Sequence, residues 1–219
     1  MHVVELPISL YSFKLRLALR LKSAAIEAQP PPGGSYRSAA FALINPAGTI
    51  PTLVDGDFWL TESDAIIEYL DDVGIGLTLR PPDPRQRARD RMLSRWVDLR
   101  LEPALRKLFA QIAPAGRVPA DIRSADALIE ASLSLLEQGL DPDGPFASGT
   151  SPGLADCGLA ASASWHARLQ HPLGLTSRMG PRATRAVAAI SEDPRTRGEV
   201  ERYGTLIDDW LAGRLSATA

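Results

Sequence analysis

Pro81-Pro82-Asp83-Pro84 separates two stretches of different character, so no fold built from one kind of element accommodates the whole sequence. Prolines lack a backbone donor and push the residue before them out of the helical region. The segment from Gly74 to Pro84 therefore reads as an extended linker, 76–84, between a first domain at 1–75 and a second at 85–219. At 219 residues the chain is long enough for two such units, since one domain takes roughly 100 to 200.

Ahead of the linker, strand and helix patterns alternate. Val3 and Val4 mark a short strand. Leu10, Phe13, Leu17 and Leu21 then recur at three- and four-residue steps, which predicts an amphipathic helix starting near Ser9 to Ser12, with Lys14, Arg16, Arg20 and Lys22 on its polar side. A short strand is expected at 25–29. Pro30-Pro31-Pro32-Gly33-Gly34 must be a loop, followed by a brief helix around Ala39 to Leu43 and a turn at Asn45 to Gly48. Thr52-Leu53-Val54 and Phe58-Trp59-Leu60 flank Asp55-Gly56-Asp57, a hairpin signal. A helix resumes from Ser63 to Leu70. Strand, helix, strand, helix, hairpin, helix within about 75 residues describes a compact α/β unit.

After the linker the pattern is helical throughout, at 85–113, 120–140, 154–170, 182–192 and 198–213, which predicts an α-bundle. Pro103 interrupts the first helix. Because Leu101, Leu105 and Leu108 continue its stripe, a kink is expected there rather than a stop.

Composition narrows the function. With 24 basic against 26 acidic side chains, the net charge of -2 gives no field suited to a phosphate backbone, so nucleic acid is not an expected partner. No stretch reaches the ~20 apolar residues of a membrane span. Met1 to Pro7 lacks the pattern of a secretory signal, and the lone Cys157 suits a reducing compartment, so the expected location is cytoplasmic. Cys157, His2, His166 and His171 have no ligand spacing, so no metal is expected. His166 and His171 read as surface or capping residues.

Three places carry chemistry. Ser9, Tyr11 and Ser12 stand where the first strand meets the first helix, and a helix N-terminus favours a thiolate that a hydroxyl there can hydrogen-bond. Either serine also reads as an ordinary helix cap. Ile50-Pro51 enters a strand, and a cis bond there would turn the backbone of Ile50 outward to pair with an extended peptide. Thr61-Glu62-Ser63-Asp64 opens a helix with capping-box spacing. The same free amides attract a ligand carboxylate, while Glu62 can accept from an ammonium, so one amino-acid head group would satisfy both. No Gly-x-Ser-x-Gly elbow surrounds any serine, which disfavours a triad hydrolase. Thioredoxin-like redox chemistry would need cysteines where Ser9 to Ser12 stand.

In order, these pieces resemble the soluble glutathione transferase superfamily. The carriers are Ser9-Leu10-Tyr11-Ser12-Phe13-Lys14-Leu15-Arg16-Leu17-Ala18-Leu19, Asn45-Pro46-Ala47-Gly48-Thr49-Ile50-Pro51-Thr52-Leu53 and Thr61-Glu62-Ser63-Asp64-Ala65-Ile66. Gly153-Leu154-Ala155-Asp156 is similar to the family's helix cap, with glycine in place of its Ser or Thr. That change should cost a few tenths of a kcal/mol. The resemblance implies a thioredoxin-like N-terminal domain and an all-α C-terminal domain that supplies the second substrate's pocket. It also implies Ser9, more than Ser12, as the catalytic hydroxyl on the glutathione thiolate. Ile50 would pair with the cysteinyl unit beside a cis Pro51, and Glu62 and Ser63 would hold the γ-glutamyl head. It further implies glutathione and a small electrophilic substrate as partners, and a homodimer. The expected activity is a glutathione transferase, with a glutathione-dependent isomerase or a non-catalytic binding module as alternatives. Thr49 departs from the family's usual Lys or Gln, and the Pro-rich loop offers only Arg37 toward the glycine carboxylate. Trp96, Leu99 and Tyr11 are candidates for the acceptor pocket, although Trp96 also reads as core.

Overall fold

Strand β1 (His2–Val4) is flanked on both sides: parallel to β2 (Glu27–Gln29) and antiparallel to β3 (Thr52–Asp55). Antiparallel β4 (Phe58–Thr61) completes the sheet, in the order β2-β1-β3-β4. A parallel pair needs a crossover, and α1 (Leu10–Leu21) provides it. The computed structural model describes residues 1–216 and divides into two units, Met1–Arg80 and a second from Pro81 on.

In the first unit Leu10, Phe13, Leu17 and Leu21 are buried, as their spacing predicts. Lys14 and Lys22, expected on the polar side of α1, are instead fully buried. Both reach aspartates on α3 (Ser63–Asp72), which packs against α1. Lys14 Nζ lies 2.7 Å from Asp64 Oδ1. Lys22 pairs with Asp71 and donates to the Leu77 carbonyl at 2.9 Å. An ammonium withdrawn from water without a partner is strongly unfavourable, so these pairs are what permit the burial. The short helix α2 (Ala39–Ala42) is capped by Ser38, whose Oγ accepts from the Phe41 amide at 3.1 Å.

The helix expected at 85–113 is divided in the second unit. α4 (Pro84–Trp96) leads through a widened π turn at Val97–Leu101 into α5 (Glu102–Lys107). Pro103 has no amide to offer the preceding turn, and the Glu102 amide just before it reaches five residues back to the Val97 carbonyl. α6 (Pro119–Gly139), α7 (Leu154–Leu173), α8 (Pro181–Glu192) and α9 (Arg197–Leu215) follow. Helix α7 is buried along most of its length and packs against α4, α5, α8 and α9. Its Trp165 donates to the Tyr203 hydroxyl at 2.7 Å. Among the described residues no helix is long and apolar enough to cross a membrane.

The N-terminus of α7 is capped from two directions. Asp156 accepts from the Gly153 and Ala147 amides at 2.9 and 2.7 Å. Asp90, projecting from α4, accepts from Leu154 and Ala155 at 2.9 and 3.0 Å. A Cβ on Gly153 would lie 2.6 Å from the Asp90 carboxylate oxygens. Glycine here is therefore more than a tolerated cap, because a side chain from another helix occupies the space a hydroxyl residue would need. Burial pushes the Asp156 carboxyl up to about 8, with the Ala147 amide opposing the rise and Asp90 reinforcing it.

His166 is also not a surface residue. It is buried, and its Nε2 lies 2.8 Å from Ser177 Oγ. Asp126 holds the same segment by accepting from the Thr176 and Ser177 amides. Burial holds the imidazole below its ordinary range, Asp126 pulling the other way.

Two outcomes are expected. Asp90→Ala should lower stability by about 3 kcal/mol, the scale of two buried bonds to a charge, in urea unfolding. Gly153→Ser should destabilise the wild type yet recover part of the loss in the Asp90→Ala background. For His166, a folded value below the unfolded 6.5 means that its contribution is complete above pH 6.5 and is lost as pH falls through the folded value. His166→Gln keeps a side-chain nitrogen for Ser177 and does not titrate. Wild-type stability should therefore fall relative to this variant between about pH 7 and pH 5, and a constant difference would contradict a neutral His166.

Candidate functional site

One cross-strand row organises the site. Val4 pairs with Thr52, and Thr52 pairs with Thr61. The end of β1, the start of β3 and the end of β4 therefore lie at the same end of the sheet's strands. Ser9 follows the first, Pro51 precedes the second and Glu62 follows the third, so the three expected contact points leave from that one end.

Ser9 is the N-cap of α1, with extended backbone at φ -66° and ψ 129°. Its Oγ accepts from the Ser12 amide at 3.3 Å. The hydroxyl proton is not used in that bond and is available to donate. Ser9 is partly exposed, whereas Ser12 is fully buried. The lead-in is held by Arg16, which donates to Glu5 Oε2 at 2.6 Å and to the Pro7 carbonyl at 2.7 Å.

Asn45 builds the turn before Pro51. Fully buried, it accepts from the Ala47 amide at 2.9 Å and donates to the Thr49 carbonyl and Thr52 Oγ1, both at 2.9 Å. The Ile50-Pro51 bond is cis. Among the described residues no group hydrogen-bonds the backbone of Ile50. Thr49 Oγ1 lies 2.8 Å from Thr61 Oγ1.

That contact changes the expected start of α3. Thr61 and Asp64 do not form a capping box: Thr61 turns to Thr49, and Asp64 turns inward to Lys14. The cap position is Glu62, at φ 68° and ψ 113°, with no side-chain bond to the helix amides. A positive φ is uncommon outside glycine and requires support from its surroundings. Ser63 is buried as the first helical residue, and Glu62 is exposed. Among the described residues no side chain takes the Ser63 amide at the start of α3, and the exposed Glu62 carboxylate stands beside it.

The remaining candidates are placed less tellingly. Arg37 is exposed, with its guanidinium 5.5 Å from the Tyr36 ring centroid. Trp96 is half-buried and packs over Gly139 of α6, and Leu99 is exposed in the π turn. Tyr11 lies partly exposed in the first turn of α1. Sequence reasoning missed Lys14 and Asp64. The signal available was the eight-residue spacing of Lys14 and Lys22 against the seven-residue spacing of Asp64 and Asp71.

A family model described as the glutathione S-transferase N-terminal domain matches residues 3–73. The chain is 32% identical to the probable glutathione S-transferase BZ2 of Zea mays, over 73% of this chain and 71% of that protein. It is 34% identical to a maleylacetoacetate isomerase of Rhizobium meliloti, over 66% and 71% of the two chains. The structure of a maleylacetoacetate isomerase from Methylobacterium extorquens AM1 with bound malonate and glutathione superposes with a TM-score of 0.71 at 28% identity. That match covers 94% of this chain and 97% of the other.

Asn45→Ala removes the side-chain bonds that hold a buried turn, and should lower stability by about 2–3 kcal/mol in urea unfolding. It should also raise amide exchange at 46–50 more than in the helices, because the lost donors hold that turn.

Proposed function

The chain belongs to the glutathione S-transferase family, and on that premise we propose that it activates glutathione as a thiolate for attack on a small hydrophobic electrophile. The observation that carries this reading is the Ser9 cap, whose oxygen accepts from the Ser12 amide while its proton stays available to a sulfur at the α1 N-terminus. A cysteine-type thiol ionises near 8.5 in water, and a hydrogen bond together with the positive end of a helix lowers that value. The burial of Ser12 supports Ser9 as the catalytic group.

The rest of the tripeptide meets complementary groups. The backbone of Ile50 suits the cysteinyl unit as another strand would. The uncapped amides at Ser63 suit the α-carboxylate of the γ-glutamyl head, and the Glu62 carboxylate suits its ammonium. In this reading the N-terminal domain holds glutathione, the helical domain supplies the electrophile's pocket, and the protein works as a homodimer in the cytoplasm. Alignment of sulfur and electrophile provides the further acceleration.

A second reading is supported by the maleylacetoacetate isomerases among the similar proteins. There the same thiolate adds reversibly to a double bond, permits rotation and leaves unchanged. Product analysis with a maleyl substrate separates the two: isomerisation consumes no glutathione, and conjugation consumes one per turnover.

Ser9→Ala should raise the pKa of bound glutathione, read by thiolate absorbance, and lower kcat about 100-fold, the scale for one donor to a developing or resident anion. An unchanged thiol pKa with full activity would remove Ser9 from the mechanism.

A further inference from the structure

Asp64 presents a puzzle at the proposed γ-glutamyl end. A carboxylate in the first turn of a helix is attracted to that helix's own free amides, and a negative charge there repels a ligand carboxylate seeking the same amides. Asp64 is the second residue of α3, directly after Ser63. Yet it forms no cap: its Oδ1 is 2.7 Å from the Nζ of Lys14, whose side chain is 0% exposed. Asp64 follows Glu62, which holds φ 68°, by two residues. The far ends of the same two helices are tied separately, by Lys22 and Asp71. An apolar residue in place of Lys14 would fill the interior without the desolvation of an ammonium. The charge therefore answers to Asp64.

We propose that Lys14 is a positioning residue for ligand recognition: it draws the Asp64 carboxylate inward, off the α3 amides, and neutralises it, so that Ser63 and Glu62 receive the α-amino-acid end of the peptide. This rests on the glutathione reading and deepens it. Lys14 touches neither ligand nor reacting sulfur. Its effect falls on binding of the γ-glutamyl end, with Ser9 and the thiol left as they were.

The test is isothermal titration of the full chain with glutathione, accompanied by the kinetics of conjugation or isomerisation. Lys14→Met should weaken glutathione binding about tenfold, the scale of one contact to a charge. KM for glutathione should rise in step, with kcat and the bound thiol's pKa unchanged. Lys14→Arg should restore binding to within about twofold, since it keeps the charge. Adding Asp64→Asn to Lys14→Met should recover most of the affinity, because the stranded carboxylate is then gone. Lys22→Met, which breaks the far pair, should lower stability while leaving glutathione affinity as in the wild type. If Lys14→Met does not fold, Lys14→Gln gives the same comparison, again paired with Asp64→Asn. Wild-type binding with no loss in the Lys14 variant would overturn the inference alone. So would a double variant no better than the single one, since that marks simple loosening. Absence of glutathione binding in the wild type would instead overturn the glutathione reading itself.

Discussion

Two ammonium groups sealed from water between α1 and α3 fix the geometry on which the first unit depends. Lys14 and Lys22 are about 12 Å apart along their helix, and Asp64 and Asp71 about 10.5 Å along theirs, at 1.5 Å per residue. Matched spacings paired in the same order mean that the helices run parallel, with their N-termini within about one turn of each other along the axis. Apolar packing alone tolerates sliding, whereas a displacement by one turn would strand a buried ammonium away from its aspartate. The sheet supplies the matching constraint, since the Val4, Thr52 and Thr61 row brings the entry to each helix and the turn before Pro51 to a common end of the strands.

The two units treat helix N-termini in opposite ways. At α7 four backbone amides, from Ala147 and from Gly153 to Ala155, are taken by Asp90 and Asp156, and the end is closed and buried. At α3 an aspartate is also at hand, yet it is drawn away by Lys14 and the cap residue makes no side-chain bond. Carboxylate at a helix start is the same favourable interaction in both cases. One is satisfied by the chain, and on the glutathione reading the other is completed by the ligand's carboxylate.

What was legible in the sequence follows from how locally each feature is encoded. The apolar stripe of α1, the Asp55-Gly56-Asp57 hairpin and the helical character after Pro84 depend on neighbours a few residues away, and the elements formed near their expected bounds. Lys14 and Lys22 read as solvated because a charged residue on a helix does so unless its partner, some fifty residues distant, is known. Gly153 looked like a weakened cap because the compensating carboxylate, Asp90, comes from another helix. Thr61 and Asp64 had the spacing of a capping box, but a box needs helical backbone between them, and Glu62 at φ 68° breaks it. His166 reads as a surface or capping residue for a related reason: its partner Ser177 lies in a loop beyond the helix.

The departures from the family pattern become intelligible once their bonds are known. Thr49 stands where a long polar side chain is usual, and its hydroxyl is engaged with Thr61 while its carbonyl accepts from Asn45. It therefore braces the scaffold between the Pro51 turn and the end of β4. Arg37, the only cation the Pro-rich loop offered, lies exposed beside the Tyr36 ring, where an ion pair with a ligand carboxylate would be worth little. On the glutathione reading, recognition is concentrated at the γ-glutamyl head and the cysteinyl backbone, where the partners are built into helix starts and a braced turn. The glycine end meets only an exposed cation. Affinity in such a site depends on how well α3's first turn is held, which places the burden of recognition back on the interior pairs between α1 and α3.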